Sequence, residues 1–340
     1  MRAVFIEQYG DPDVLRCGHA PDPSPGPGEA LVRVHTCGVC YHDVLMRQGK
    51  YRDVRLPRIT GHEVAGEVAG LGPDVRCLEV GDRVLVPTWL SCGVCAHCRK
   101  RQIEFCEAPR RMPGHDEDGG YAELMRAPAV CLTRFPESIP WDQAAALPCA
   151  AATALEAVRS VAGVKPGDSV LVTGAGGGLG VHAIQLSRLH GGRVIASTTS
   201  ERKAELLEEL GAHHVVCGPA EALARSVKKL TGGSGVTVVI DCVGTTTFEA
   251  SLRSLAAEGR MALIGAVSGD AVPIKPAVLV LKDLTIRGCS RQASLTDVVD
   301  LVVSGSLRPI VSRTLGLEEA AEAHRLLESR ESFGRIVLQT

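Results

Sequence analysis

Two hydrophobic rhythms divide the chain. Over roughly the first 148 residues, apolar and polar positions alternate in short runs: ALVRVHT (30–36), EVAGEVAGLG (63–72) and DRVLVPTWL (82–90). Successive side chains of a strand point to opposite faces, so these runs predict half-buried strands. Gly/Pro turns such as PDPSPGPGE (21–29) keep them short. From about Trp141 the texture changes. WDQAAALPCAAATALEAVRSVAG (141–163) predicts a helix, KPGD a turn, and SVLVTG (169–174) a fully apolar strand. Helical patterns then alternate with apolar strands: GLGVHAIQLSRLHG, RVIAST, SERKAELLEELGA, HHVVC, EALARSVKKLTGG, VTVVIDCVG, TFEASLRSLAAEG, RMALIGAV and LTIRGCS. Continuous apolar strands separated by amphipathic helices imply a parallel sheet covered on both faces. After about Ser290 a helix (DVVDLVVSG), a short strand, a helix (EEAAEAHRLLES) and a closing strand (GRIVLQT) follow, and this last piece is expected to return to the first domain.

The expected fold is therefore α/β in two domains: residues 1–148 with 290–340, rich in β-structure, and residues 149–289, a doubly wound parallel sheet. A length of 340 residues agrees with two cores. A net charge of −2 supplies no field to attract nucleic acid or an anionic membrane, so neither is expected as a partner. No run reaches the roughly 18 uncharged apolar residues of a spanning helix, and MRAVFIEQYG is not followed by the apolar core of an export signal. A cytoplasmic location is the expectation. Thirteen cysteines, an odd number, then point to metal or thiol chemistry instead of a disulfide framework.

SVLVTGAGGGLGVHAIQ reads as strand, glycine-rich turn and helix. Gly174, Gly177, Gly178 and Gly180 would let the backbone approach a dinucleotide pyrophosphate at the helix N-terminus. The spacing is not a strict G-x-G-x-x-G, because Ala175 takes the first glycine's place when the motif is aligned on Gly177 and Gly180. At the end of the next strand, where a carboxylate would bind the adenosine ribose of NAD(H), the chain has Ser197, Thr198, Thr199 and Ser200, then Arg202 and Lys203. Small hydroxyls and cations suit a 2′-phosphate. Thr198, Ser200, Arg202 and Lys203 are thus expected to select NADP(H) over NAD(H).

Cys92-x2-Cys95-x2-Cys98-x7-Cys106 is the pattern of a closed four-thiolate zinc site, with an iron–sulfur cluster as the other reading of four cysteines. Lys100 and Arg101 would favour the thiolates, and His97 reads as a bystander. A second site would have to be assembled from distant segments: Cys40 in TCGVCYHDVLMRQG, the pair His62–Glu63, and Cys149 in ALPCAAATAL. Two thiolates, an imidazole and an exchangeable position describe a catalytic zinc. Trp89, just before the cysteine lobe, is a candidate lining residue for the substrate pocket.

CGVCYHD, GHEVAGEVAGLG, the four-cysteine lobe, LPC and TGAGGGLG together resemble the zinc-dependent medium-chain dehydrogenase/reductases, the alcohol dehydrogenase family, over the full chain. The resemblance implies a GroES-like catalytic domain around a Rossmann domain and two zinc ions per chain, one catalytic and one structural. It implies a homodimer or homotetramer acting on a small-molecule substrate. It makes Cys40, His62 and Cys149 the catalytic zinc ligands, Glu63 an exchangeable fourth ligand, and Asp43 the partner that orients His62. The expected activity is hydride transfer between a nicotinamide and an alcohol, aldehyde or ketone.

The chain departs from the family at three positions. The residue two after the zinc cysteine is usually a Ser or Thr that relays a proton to the cofactor ribose, and a histidine three further on often completes the relay. Here those residues are His42 and Leu45, and the position after the cysteine, often basic, is Tyr41. An imidazole can itself hold a proton, so His42 is a candidate acid/base; filling space and bonding the ribose is the alternative. Stretches such as VIDCVGTTTFEASLRSL and LKDLTIRG also resemble acryloyl-CoA reductases of the same superfamily. That leaves reduction of a conjugated C=C bond as the second expectation, and a non-catalytic zinc- and nucleotide-binding protein as the third.

Overall fold

A computed structural model describes residues 1–51, 53–100, 105–109 and 111–340. The chain forms two compact units: residues 1–149, 295–303 and 311–340 make one, and residues 150–294 and 304–310 the other.

The first unit is built on a seven-stranded sheet. Along it run Val311–Gly316, Arg335–Gln339, Glu29–Val39, Glu63–Leu71, Arg83–Val86 and Thr133–Arg134, and Leu124–Pro128 pairs separately with Glu29–Val39. The alternation in ALVRVHT sends Ala30, Val32 and Val34 into a core shared with Val64, Val68, Val84 and Val86. The last strand, Arg335–Gln339, lies antiparallel to Glu29–Val39 with Ile336 opposite Val39 and Gln339 opposite Thr36. Thus the last strand of the chain lies beside one that begins at Glu29. A smaller three-stranded sheet orders Leu15–His19, Arg2–Ile6 and Arg58–Ile59.

The second unit is a six-stranded sheet in the order His214–Cys217, Arg193–Thr198, Ser169–Thr173, Val236–Asp241, Leu255–Leu263 and Thr285–Gly288. Every pairing is parallel. Numbered along this unit the order is 3-2-1-4-5-6, the doubly wound Rossmann arrangement, which turns back beside the first strand. A fully buried carboxylate, Asp241, ties that centre together. It accepts from Thr173 Oγ1 (2.9 Å), Thr247 Oγ1 (2.8 Å) and Ser251 Oγ (2.7 Å), and from the N–H groups of Val243 (3.0 Å) and Gly244 (2.9 Å).

Two elements differ from the sequence pattern. The helix expected through Gly259 stops at Ser254, and Leu255 already pairs with Val236. The register then skips to Val238 opposite Arg260, and Glu258 takes a left-handed φ of 58° inside the bulge. The Ala-rich helix is also interrupted: a π-helical turn, Leu147–Ala151, separates Trp141–Ala145 from Ala152–Glu156. Pro148 has no N–H to give to a regular α-helix, and Cys149 lies inside the widened turn.

Candidate active site

Cys40 follows the strand Glu29–Val39 directly and caps the helix Tyr41–Arg47. Asp43, in the first turn of that helix, accepts the Cys40 N–H at 3.0 Å through Oδ2. Its other oxygen accepts from Thr60 Oγ1 at 3.2 Å and faces His62 Nδ1 at 3.0 Å. Asp43 is buried, and His62 and Cys40 pull its carboxyl in opposite directions; burial raises it most, yet the imidazole beside it leaves it below its ordinary value. Holding Nδ1–H in this way fixes the His62 ring and leaves Nε2 as its donor atom.

The ligand atoms of Cys40, His62, Glu63 and Cys149 all lie within 4.8 Å of one another. A hydrogen bond between the two thiols pulls Cys40 well below the ordinary cysteine range and lifts Cys149 well above it. Glu63 has no exposed surface, and burial pushes its carboxyl up to about 8 even though Arg335 opposes the shift. Arg335 Nη2 stands 2.8 Å from Glu63 Oε1, but neither carboxylate oxygen receives an aligned hydrogen bond among the described residues. Two sulfurs, one imidazole nitrogen and an under-satisfied carboxylate in a buried nest fit a zinc ion, which would hold both sulfurs as thiolates and satisfy the carboxylate.

Cys92, Cys95, Cys98 and Cys106 likewise lie within 4.8 Å of one another. Backbone N–H groups already point at the sulfurs: Cys95 N to Cys92 Sγ (3.4 Å), Cys98 N to Cys95 Sγ (3.5 Å) and Cys92 N to Cys106 Sγ (3.3 Å). The N–H of Cys98 brings the Cys95 thiol down to about 6, whereas burial pushes Cys98 up to about 12. Four sulfurs leave no position for substrate. His97 stands beside Phe105, 5.9 Å between rings, and is not in the cluster; Arg101 lies outside the described residues.

His42 packs next to the first cluster, its ring perpendicular to that of His62 at 5.3 Å. Its Nε2 is 3.2 Å from His115 Nδ1, and its face lies against Tyr51 at 4.6 Å. Neither His115, Tyr51 nor Arg335 is singled out by the sequence reading. For Arg335 a signal exists, a cation in an otherwise apolar strand, RIVLQ; for His115, in the polar loop 112–118, none does. Trp89 is partly buried beside Leu90, which pairs with Arg111.

In the second unit Gly174 ends the strand Ser169–Thr173 with φ +58, and Gly177 N–H closes the turn on Gly174 O at 3.0 Å. Gly180 opens the helix Gly180–Leu189, where a Cβ would come within 2.5 Å of Gly174 O. His182 Nδ1–H donates to Gly178 O at 2.6 Å. Thr198 ends the neighbouring strand, and its Oγ1 accepts Ser200 N–H at 3.2 Å. Arg202 is exposed, and the Lys203 side chain is folded so closely over Gly176 that a Cβ there would meet its Cδ at 2.7 Å.

Residues 26–137 match the alcohol dehydrogenase GroES-like domain, and residues 178–304 match the zinc-binding dehydrogenase domain. An acryloyl-coenzyme A reductase of Sulfurisphaera tokodaii is 32% identical over 100% of both chains. The chain belongs to the zinc-type medium-chain dehydrogenase/reductase family. It is a zinc-dependent oxidoreductase of the alcohol dehydrogenase type, with a nicotinamide cofactor. An NAD-dependent alcohol dehydrogenase of Sulfolobus acidocaldarius is also 32% identical, over 100% of this chain and 99% of its own. Among solved structures AibC is 41% identical, with a TM-score of 0.90 over 100% of this chain and 95% of its own. Among the described residues no helix is long and apolar enough to cross a membrane.

Proposed function

We propose that this family member is an NADP(H)-linked alcohol dehydrogenase/carbonyl reductase working at Cys40, His62 and Cys149. The convergence of those three ligand atoms, with Asp43 behind His62, is the observation that carries the reading. When bound, zinc supplies Lewis acidity toward a substrate oxygen and the nicotinamide supplies or accepts the hydride. The chain's own work is positional. Cys40 and Cys149 offer thiolates, Asp43 fixes the His62 ring, and Arg335 holds Glu63 within ligand distance as an exchangeable fourth group. His42 stands where the family's relay hydroxyl would be, and exchanges a proton with the substrate or with a ribose hydroxyl. Cys92, Cys95, Cys98 and Cys106 hold the structural zinc, and Trp89 lines the substrate pocket.

Gly174, Gly177, Gly178 and Gly180 cradle the pyrophosphate in this reading. Selection of NADP(H) rests on Thr198 and Ser200 in place of a carboxylate, with Lys203 folded over the glycine turn and Arg202 exposed beside it in sequence. The thiolate clusters suit a reducing, cytoplasmic setting, and the family likeness supports a homodimer or homotetramer.

A second reading, reduction of the C=C bond of an enoyl thioester or enone, is favoured by the acryloyl-coenzyme A reductase relative and by His42 in place of the relay hydroxyl. Hydride would go to the β-carbon and a proton to the α-carbon. The test is oxidation of NADPH and of NADH by the zinc-loaded protein with acetaldehyde, benzaldehyde and acryloyl-CoA. Turnover of the aldehydes with NADPH is the expected result. Turnover of acryloyl-CoA alone would replace the first reading with the second, and a preference for NADH would remove the coenzyme assignment.

A further inference from the structure

Beside the metal-ligand cluster stand three side chains that the reaction as proposed does not use: His115, Asp53 and Tyr51. The turn that carries His115 is fastened to the segment that carries His62. Gly114, with φ +78, lies so close to Gly61 that a Cβ would come within 2.7 Å of its nitrogen. Asp116 Oδ2 accepts Met112 N–H at 2.7 Å, and Asp118 Oδ1 accepts Ile59 N–H at 3.1 Å. The His115 side chain is 11% exposed. Its Nδ1 lies 3.2 Å from His42 Nε2, and its Nε2 lies 3.3 Å from Asp53 Oδ1. Tyr51 covers both rings, at 4.6 Å from His42 and 5.3 Å from His115.

A hydrogen bond between two neutral imidazoles needs one N–H and one lone pair. The Asp53 carboxylate, 75% exposed in its side chain, faces His115 Nε2 at 3.3 Å and offers only lone pairs, so a proton on Nε2 is the tautomer that matches it. His115 Nδ1 is then an acceptor, and His42 Nε2 must be the donor. The nitrogen left with a lone pair on His42 is Nδ1, and no hydrogen bond to it exists among the described residues. We infer that His115, backed by Asp53, is a positioning residue that fixes the ring and tautomer of His42 and keeps Nδ1 as the acceptor for a hydroxyl of substrate or cofactor. This deepens the proposed role of His42 and rests on it. The family's relay partner three residues after the relay position is absent here, Leu45 standing in its place, and a side chain 73 residues away in sequence does the positioning instead.

The test uses the zinc-loaded full chain labelled with nitrogen-15 at histidine. Long-range proton–nitrogen correlation should show His42 protonated at Nε2 and bare at Nδ1. In H115L this preference should be lost; in H115N, whose amide oxygen takes the place of the Nδ1 acceptor, it should return. In steady-state NADPH oxidation with acetaldehyde and with acryloyl-CoA, H115L should lower kcat about 10–100-fold, the usual effect of removing a partner that orients an active-site group. The NADPH KM and the zinc content should not move, and H115N should restore most of the turnover. A wild-type His42 protonated at Nδ1 overturns the inference without any variant, and equal losses in H115L and H115N overturn it too. Full activity in H42A would instead refute the role of His42 itself, whereas an inactive H42A beside a fully active H115L refutes only the role of His115.

Discussion

Asp43 shows how one carboxylate can set several parts of a site at once. It receives the Cys40 N–H, the Thr60 hydroxyl and His62 Nδ1, so a ligand, a neighbour of the second ligand and that ligand's ring orientation all depend on it. In Asp43→Asn an amide N–H₂ would face one of these donors. Zinc affinity at the Cys40 cluster should fall about 10–100-fold, as is usual when an outer partner of a metal-binding histidine is lost. Competition with a chromophoric chelator measures this, and the four-cysteine lobe in the same molecule serves as the internal control. Unchanged affinity would mean that the contact does not orient the ring. At this scale the sequence was informative wherever chemistry is written in short spacing. The four-cysteine lobe is such a pattern; Cys40, His62, Glu63 and Cys149, with Asp43 behind His62, come from distant segments and were legible through the family resemblance, and the structure brings the ligand atoms of each set together. His115 and Arg335 carry no such mark. Their partners, His42 and Glu63, lie far away in the chain, and contacts of that range leave no periodicity to read.

At the scale of elements, the alternation of buried strands and helices made the second unit's parallel sheet legible, because strands covered on both faces must be apolar throughout. The places where pattern and structure part are turns. AAEG has good helix formers, but burying Leu255 against Val236 ends the helix there, and the next residues bulge. Neither that nor the π-helical turn around Cys149 has a signature beyond Pro148. An ion pair in this unit gives the second prediction. Asp168 accepts the Lys165 N–H (2.9 Å) and Thr237 Oγ1 (2.8 Å), and faces Arg260 Nη2 (2.5 Å). Burial alone would raise its carboxyl, but these donors outweigh it and hold the group below its ordinary value of 3.8. A depressed carboxyl binds its proton more readily in the unfolded chain. Its stabilisation is therefore complete above about pH 4 and is lost as pH falls through the lower folded value. Asp168→Asn should flatten the acid limb of the melting temperature against pH while lowering stability at neutral pH. An unchanged acid limb would show that Asp168 does not contribute to it.

Across the whole molecule, the chain's last strand completes the sheet on which its first metal ligand is mounted. Arg335–Gln339 runs antiparallel to Glu29–Val39, and Cys40 follows immediately. That closure also delivers Arg335, 7% exposed in its side chain, to Glu63, which has no exposed surface, and Arg335 Nη1 donates to Val39 O at 3.2 Å. Burial pushes Glu63 up to about 8, and a zinc ion held beside it would favour the carboxylate; the charged pair that results is no net source of stability, since removing two charges from water costs about as much as their attraction returns. Each charge nevertheless depends on the other. Arg335→Met should cost about 3–5 kcal/mol, the range for stranding one member of a buried pair, and Glu63→Gln should also destabilise by leaving the guanidinium unmatched. The double variant removes both charges, so its loss should be clearly smaller than the sum of the two single losses. Denaturant unfolding of the zinc-loaded protein, with zinc content checked in each variant, measures all three corners of the cycle. Additive losses would mean that the two groups do not interact, and Arg335 would then be held by Val39 O and its packing alone. A strong coupling would instead make the closing strand the counter-charge that keeps Glu63 near Cys40, His62 and Cys149, which is the whole-chain reason for residues so far apart in sequence to share one sheet.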